Sequence, residues 1–174
     1  RAAPQASVVV TPGGATRAAS IELALEQVRG ELVAIHDAAR PLITPDVVDR
    51  VIERLADDPG ADAAIAATPI TDTVKQARAG RMADGSGATV VAGTLDRDLL
   101  WAAQTPQAFR IEALLGAQRR AAAAGELAGA TDEATLIERA GGRVLLEETG
   151  IPNFKVTTAA DLALAETLVA GEAS

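Results

Sequence analysis

A chain of 174 residues, 48% of them hydrophobic, has enough material for one domain with a full core and too little for two. A formal net charge of −8 argues against a nucleic-acid-binding face, and an aromatic content of 2% leaves no platform for stacking bases. There is no cysteine, so disulfides, thiolate nucleophiles and cysteine-based zinc sites are excluded and the reducing cytoplasm is the natural compartment; charges interrupt every apolar run well short of the ~20 residues a membrane span needs.

Residues 6–11 read as a buried strand, followed by a turn at Gly13-Gly14 and a helix over 17–28 with Ile21, Leu25 and Val28 on one face. Residues 31–37 form the next predicted strand. Thr44 then caps a helix that has Pro45 at its first position and Val47, Val48, Val51, Ile52 and Leu55 on its core face. A small-residue strand follows over 61–68. The alternation of strand and helix predicts parallel pairing with right-handed crossovers, hence an α/β layered sheet. From Thr71 to Thr94 the pattern changes to short alternating segments around Gly80, Gly85 and Gly87, an extended hairpin too long and too polar to pack on the sheet. Residues 99–107 return to the core, 111–124 and 131–140 are helical, 142–147 form a strand, and 159–170 close the chain as a helix with Leu162, Leu164, Leu168 and Val169.

Chemistry-bearing residues concentrate in a few segments. Val33-Ala-Ile-His36-Asp37-Ala38-Ala39-Arg40-Pro41 is an apolar run that delivers an acid and a base at its carboxyl end, where open α/β sheets hold charged ligands. Asp37 can bind Mg²⁺ through oxygen and Arg40 can take a phosphate bidentately; an Asp–Arg pair fixing a loop is an equal reading. His36, the only histidine, reads as a structural residue at a strand end. Gly13-Gly14-Ala15-Thr16-Arg17-Ala18-Ala19-Ser20 lies between a strand and a helix, where glycine lets backbone approach a ligand, although a plain turn has the same composition. Thr73 and Lys75 are ordinary strand residues by themselves, and Arg97 between Asp96 and Asp98 has the look of a surface ion pair. Gln104-Thr105-Pro106-Gln107 places a proline in a core-returning segment, which turns neighbouring polar groups toward a cleft. Thr131 reads as an N-cap with Asp132 and Glu133 complementing the helix dipole, and Lys155, by itself, as a solvated charge before a capped helix.

Taken together, His-Asp-Ala-Ala-Arg-Pro, Gly-Gly-x-x-Arg-x-x-Ser, Asp72-Thr73-Val74-Lys75, Thr105-Pro106-Gln107, Thr131-Asp132-Glu133-Ala134 and Asn153-Phe154-Lys155 resemble the 2-C-methyl-D-erythritol 4-phosphate cytidylyltransferase family of the non-mevalonate isoprenoid route. The resemblance implies a nucleotide-diphospho-sugar-transferase-like, Rossmann-like α/β fold with a projecting β-arm, in a single domain over residues 1–174. It implies cytidylyl transfer from CTP to a polyol phosphate with Mg²⁺. Gly14, Ser20, Asp37 and Ala38 would lie at the nucleotide, and Asp37 at the metal. Arg40, Thr73, Arg97, Thr105, Thr131 and Lys155 would lie at the second substrate, with Lys155 and Asp37 as the catalytic pair. Ala15 stands where the family carries an acid. A two-fold dimer is implied in which each arm brings Thr73 and Arg97 to the neighbour's substrate; no nucleic acid or membrane partner is implied.

The family's first strand and Gly-rich loop, which carry an arginine and a lysine for the triphosphate, have no counterpart in residues 1–7. A domain incomplete at its amino terminus, with little activity of its own, is therefore expected. The alternatives are a ribitol-5-phosphate cytidylyltransferase with the same fold and nucleotide, and an inactive ligand-binding or oligomerising fragment.

Overall fold

The structure is a computed structural model that describes residues 8–172. Its core is a four-stranded sheet in the order β1-β5-β2-β6, built from β1 (Leu32–Ile35), β2 (Ala63–Pro69), β5 (Trp101–Arg110) and β6 (Val144–Glu148). The strands are short and rich in small residues, and alternate residues serve opposite faces. On β2, Ala63 and Ile65 join one apolar cluster while Ala64 and Ala66 join the other; on β5, Phe109 and Ala108 divide in the same way. Burial on both faces follows from that period of two.

One face is covered by α1 (Arg17–Leu25), α3 (Ile111–Ala124) and α4 (Glu133–Arg139), which bring Leu25, Leu114, Ala117, Leu136 and Ile137 against Phe109. The other carries α2 (Pro45–Ala56), whose Val47, Val51 and Leu55 recur at helical spacing and are buried. Pro45 begins α2 as predicted, and Thr44 occupies its N-cap position without making a capping bond. α3 ends on Gly125 at φ 71°, a left-handed cap conformation that glycine adopts without a Cβ penalty.

The expectation of parallel pairing is corrected in one respect. β2 pairs β6 in parallel, but β5 lies between β1 and β2 and is antiparallel to both. The cause is the excursion over residues 71–94: chain that leaves the end of β2 and folds back at that end needs no crossover and re-enters beside β2 running the other way. That excursion is an antiparallel ribbon of β3 (Lys75–Arg81) and β4 (Gly87–Thr94), a two-stranded sheet of its own, and Arg97–Leu99 forms a short 3₁₀ turn before β5.

Three further expectations change. Of the predicted first strand, Ala6 and Ser7 lie outside the described residues, and Val8–Val10 are exposed and unpaired because a strand requires a neighbouring edge that they do not meet. The N-cap of α4 is Asp132 rather than Thr131: the Asp132 carboxylate accepts from the Thr135 amide at 3.0 Å, a role that leaves the Thr131 side chain exposed. On α5 (Ala159–Glu172), Ala165 is the buried residue, while Leu162, Leu164 and Val169 are about half exposed.

Candidate active site

The carboxyl end of β1 stops at Ile35, and the chain turns through His36–Pro41, with the Arg40 amide donating to the Asp37 carbonyl at 2.9 Å. Three segments close around this turn. β5 supplies Thr105, whose Oγ1 accepts from the Asp37 amide at 3.0 Å and lies 3.0 Å from His36 Nδ1. His36 Nε2 donates to the Arg40 carbonyl at 3.1 Å, and in that tautomer Nδ1 accepts from the Thr105 hydroxyl. His36 is thus a brace for the turn, in agreement with its reading as a structural residue.

The second segment precedes α5. Asn153 is buried; its amide nitrogen donates to Gln104 Oε1 at 3.0 Å and to the Thr105 carbonyl at 2.8 Å, and its carbonyl accepts from Arg40 Nη1 at 2.6 Å. Three residues on, the Val156 amide donates to the Ala39 carbonyl at 2.7 Å, which lays Lys155 across the turn with Nζ 2.9 Å from Asp37 Oδ2. The segment is fixed behind Lys155 by a capping box in which Asp161 accepts from the Thr157 and Thr158 amides while Thr158 accepts from the Asp161 amide. The third segment is the start of α4, where Gln107 of β5 donates to Asp132 Oδ2 at 2.8 Å.

Asp37, Arg40, Thr105, Thr131 and Lys155 therefore line one pocket of about 260 Å³, together with Arg17, Gln104, Gln107 and Asp132. Burial pushes the Asp37 carboxyl up, but the hydrogen bond from Lys155 and the charges of Lys155, Arg17 and Arg40 together hold it below its usual value. Burial likewise raises Asp132, and its bonds from Gln107 and Thr135 outweigh that and bring it down. Both acids are ionised near neutrality, and Arg17, Arg40 and Lys155 line the same pocket, so a −8 chain gathers three cations here. Arg40 keeps its Nε buried without a partner. Such a cluster is suited to phosphate.

Other predicted residues lie elsewhere. Gly14 and Ser20 sit together at the start of α1, the Gly14 amide donating to Ser20 Oγ at 2.9 Å, and a Cβ on Gly14 would come within 2.5 Å of the Ala19 Cβ. Ala38 is exposed on the turn. Thr73 and Arg97 flank the arm at its base, where Arg97 donates to the Thr71 carbonyl at 2.7 Å and is more than half exposed; neither lines the pocket. Arg17, Gln107, Asp132 and Asn153 are polar residues of the site that the sequence reading did not nominate. Among the described residues no group of three or more His, Cys, Asp or Glu side chains is placed to hold a metal, and no helix is long and apolar enough to cross a membrane.

A family model described as 2-C-methyl-D-erythritol 4-phosphate cytidylyltransferase, IspD, matches residues 2–171. A bifunctional enzyme IspD/IspF of Rhodospirillum rubrum is 45% identical over 163 residues, which are 92% of this chain and 38% of that protein. A 2-C-methyl-D-erythritol 4-phosphate cytidylyltransferase of Bacillus licheniformis is 40% identical over 166 residues, covering 95% of this chain and 66% of that protein. The chain thus spans between about two fifths and two thirds of the length of these relatives. The crystal structure of the enzyme of that name from Thermus thermophilus superposes with a TM-score of 0.75 at 32% identity, over 96% of this chain and 79% of that one. Sequence and fold agree: the chain belongs to the IspD family of 2-C-methyl-D-erythritol 4-phosphate cytidylyltransferases.

Proposed function

We propose that this chain works in the transfer of a cytidylyl group from CTP to 2-C-methyl-D-erythritol 4-phosphate, giving 4-diphosphocytidyl-2-C-methyl-D-erythritol and pyrophosphate. The observation that carries the reading is the convergence of Lys155, Arg40 and Asp37 on one pocket from segments more than a hundred positions apart. An oxygen of the polyol phosphate attacks the α-phosphorus of CTP in line, the new P–O bond forms as the α–β bridge breaks, and the electron pair leaves with pyrophosphate. No protein nucleophile is needed; the work is positioning and charge stabilisation. Lys155 and Arg40 hold the attacking phosphate, and Asn153 keeps Arg40 turned toward it. Thr131, relieved of capping, faces the same substrate. Thr105 acts by holding Asp37 and His36, since its hydroxyl already accepts from one and donates to the other. Gly14, Ser20 and Ala38 lie at the nucleotide, where backbone rather than side-chain contact is available.

The residues fit Mg²⁺ on one condition. Asp37 is a single carboxylate, which suffices for a cation that takes its other ligands from substrate phosphates. Its Oδ2 is engaged by Lys155 at 2.9 Å, and its Oδ1 stands 3.7 Å from Arg17, long enough to leave that oxygen open to a ligand. When bound, the ion would neutralise charge on the phosphates. The exposed arm calls for a partner, because a two-stranded ribbon is marginal in water. A homodimer that places Thr73 and Arg97 of one copy at the phosphate of the other supplies it, in the cytoplasm.

The relatives' names support methylerythritol phosphate over ribitol 5-phosphate as the acceptor. The test is pyrophosphate release from CTP with each polyol phosphate, using the longest reading frame that contains this chain. Turnover with methylerythritol phosphate is expected, and turnover confined to ribitol phosphate, or none with either, would refute the reading.

A further inference from the structure

Arg17 is the first residue of α1 and stands between two acids. Its Nη1 lies 2.8 Å and 2.7 Å from the two carboxylate oxygens of Glu133, and its Nε lies 3.7 Å from Asp37 Oδ1. Glu133 is only 3% exposed. A carboxylate buried to that depth requires a counter-ion, so Arg17 is not a loose surface cation free to turn away. With Lys155 on the other oxygen of Asp37, the charges alternate Glu133, Arg17, Asp37, Lys155 through four separate segments of the chain.

The packing of α1 gives this row its importance. Leu25, at the far end of the helix, is its buried residue. From Thr16 to Glu26 the helix borders a cavity of about 870 Å³, lined also by Leu115, Ala122 and Leu136, that separates it from α3 and α4. Leu25, with Ile21 beside it, is the apolar anchor of α1 toward one end, and the Arg17–Glu133 pair is the ionic anchor at the other. That other end holds the Gly14 loop, tied to the helix through the Gly14 amide and Ser20, whose hydroxyl donates to the Thr16 carbonyl at 3.0 Å.

We infer that Arg17 is a positioning residue that couples the nucleotide loop at Gly14–Ser20 to the Asp37–Lys155 pair, with Glu133 as its buried counter-charge. This rests on the proposed reading of the pocket as a site for CTP and a phosphorylated acceptor. Arginine suits the position because Nη1 hydrogen-bonds Glu133 while Nε, 3.7 Å from Asp37 Oδ1, sets positive charge beside that oxygen without occupying it.

The experiment compares Arg17→Lys, Arg17→Ala and the pair Arg17→Ala/Glu133→Gln with the parent protein in the longest reading frame containing this chain, by KM for CTP, KM for methylerythritol phosphate and melting temperature. Arg17→Lys keeps the buried ion pair and withdraws the positive charge that Nε sets beside Asp37. It is expected to melt with the parent yet raise KM for CTP about tenfold, leaving KM for the acceptor within about twofold. Arg17→Ala loses both links and falls in melting temperature as well. Adding Glu133→Gln, which removes the unpaired buried charge, restores the melting temperature and not the KM. A merely structural anchor would be rescued by lysine in both readouts, and that result, or equal rises in the two KM values, would overturn the inference. A parent protein that neither binds nor turns over CTP would instead refute the proposed function, and this inference with it, a result distinguishable from an active parent with a silent Arg17→Lys.

Discussion

Replacing Lys155 by alanine separates what holds the pocket together from what it does. The Lys155–Asp37 contact is 2.9 Å long, but the lysine side chain is 46% exposed, so solvent screens the pair. Pairs of that exposure contribute about 0.2–1 kcal/mol, and Arg17 and Arg40 remain beside Asp37 to compensate its charge. For a domain of this size, 1 kcal/mol moves the melting temperature by about 2–4 °C. If Lys155 stabilises charge developing at the transferred phosphoryl group, its loss costs about 10²–10³ in kcat, or roughly 3–4 kcal/mol of barrier. The rate effect should therefore exceed the stability effect several-fold. A second consequence fixes the sign of the pH dependence. Burial pushes Asp37 up and the bond and charge of Lys155 hold it down, so without Lys155 the carboxyl rises and the acid limb of the activity profile moves to higher pH. Steady-state kinetics from about pH 3 to 9 beside thermal melts would measure both. A variant that loses less than about tenfold in kcat with an unmoved acid limb would show that Lys155 is a solvated charge and that the argument fails at that residue.

Asp37→Asn should raise the Mg²⁺ concentration needed for half-maximal turnover without unfolding the protein; an unchanged Mg²⁺ titration would exclude Asp37 as its ligand. Asp161, held down to about 2 by hydrogen bonds from Thr157 and Thr158, has a folded value below the usual 3.8, so its cap is fully present above about pH 4 and is lost as pH falls toward 2. Carboxyl NMR of Asp161 should titrate near 2, and a midpoint near 3.8 would mean that the cap does not hold the Lys155 segment. Arg97→Ala and Asp37→Asn chains, each impaired alone, should regain part of the lost activity when mixed, because one site of the heterodimer then carries neither defect. Subunits that exchange without complementation would place Arg97 in its own site or in none.

What was legible in the sequence and what was not divide along range of interaction. The apolar run ending in Asp37, Pro45 at the first position of α2 and the periodic valines of that helix are local signals, and they led to β1 and α2. The insertion of β5 between β1 and β2 depends on where the arm sends the chain, which no local pattern carries. Residues 8–10 are apolar enough for a strand, but pairing rather than hydrophobicity makes one. In the pocket, Asp37, Arg40, Thr105, Thr131 and Lys155 carry motifs short enough to read along the chain, and the fold brings them together. Arg17 and Glu133 meet across 116 positions, and Asn153 reaches Thr105 across 48, so their roles exist only in three dimensions. A usable signal was present in Gln107, an amide in a stretch otherwise buried, since a buried amide demands partners; Asn153, between exposed Pro152 and Lys155, carried none. Thr131 and Asp132 show the opposite difficulty: both residue types can cap a helix, and the carboxylate, the stronger acceptor, took the position.

The most direct test of the account is a product assay on the longest reading frame containing this chain, with CTP, Mg²⁺ and 2-C-methyl-D-erythritol 4-phosphate, following pyrophosphate and the cytidylylated polyol together by ³¹P NMR. The account predicts equimolar appearance of both, with a diphosphate doublet pair that is absent when Lys155→Ala replaces the parent protein. Pyrophosphate without the cytidylylated product, or turnover that Lys155→Ala leaves intact, would contradict it.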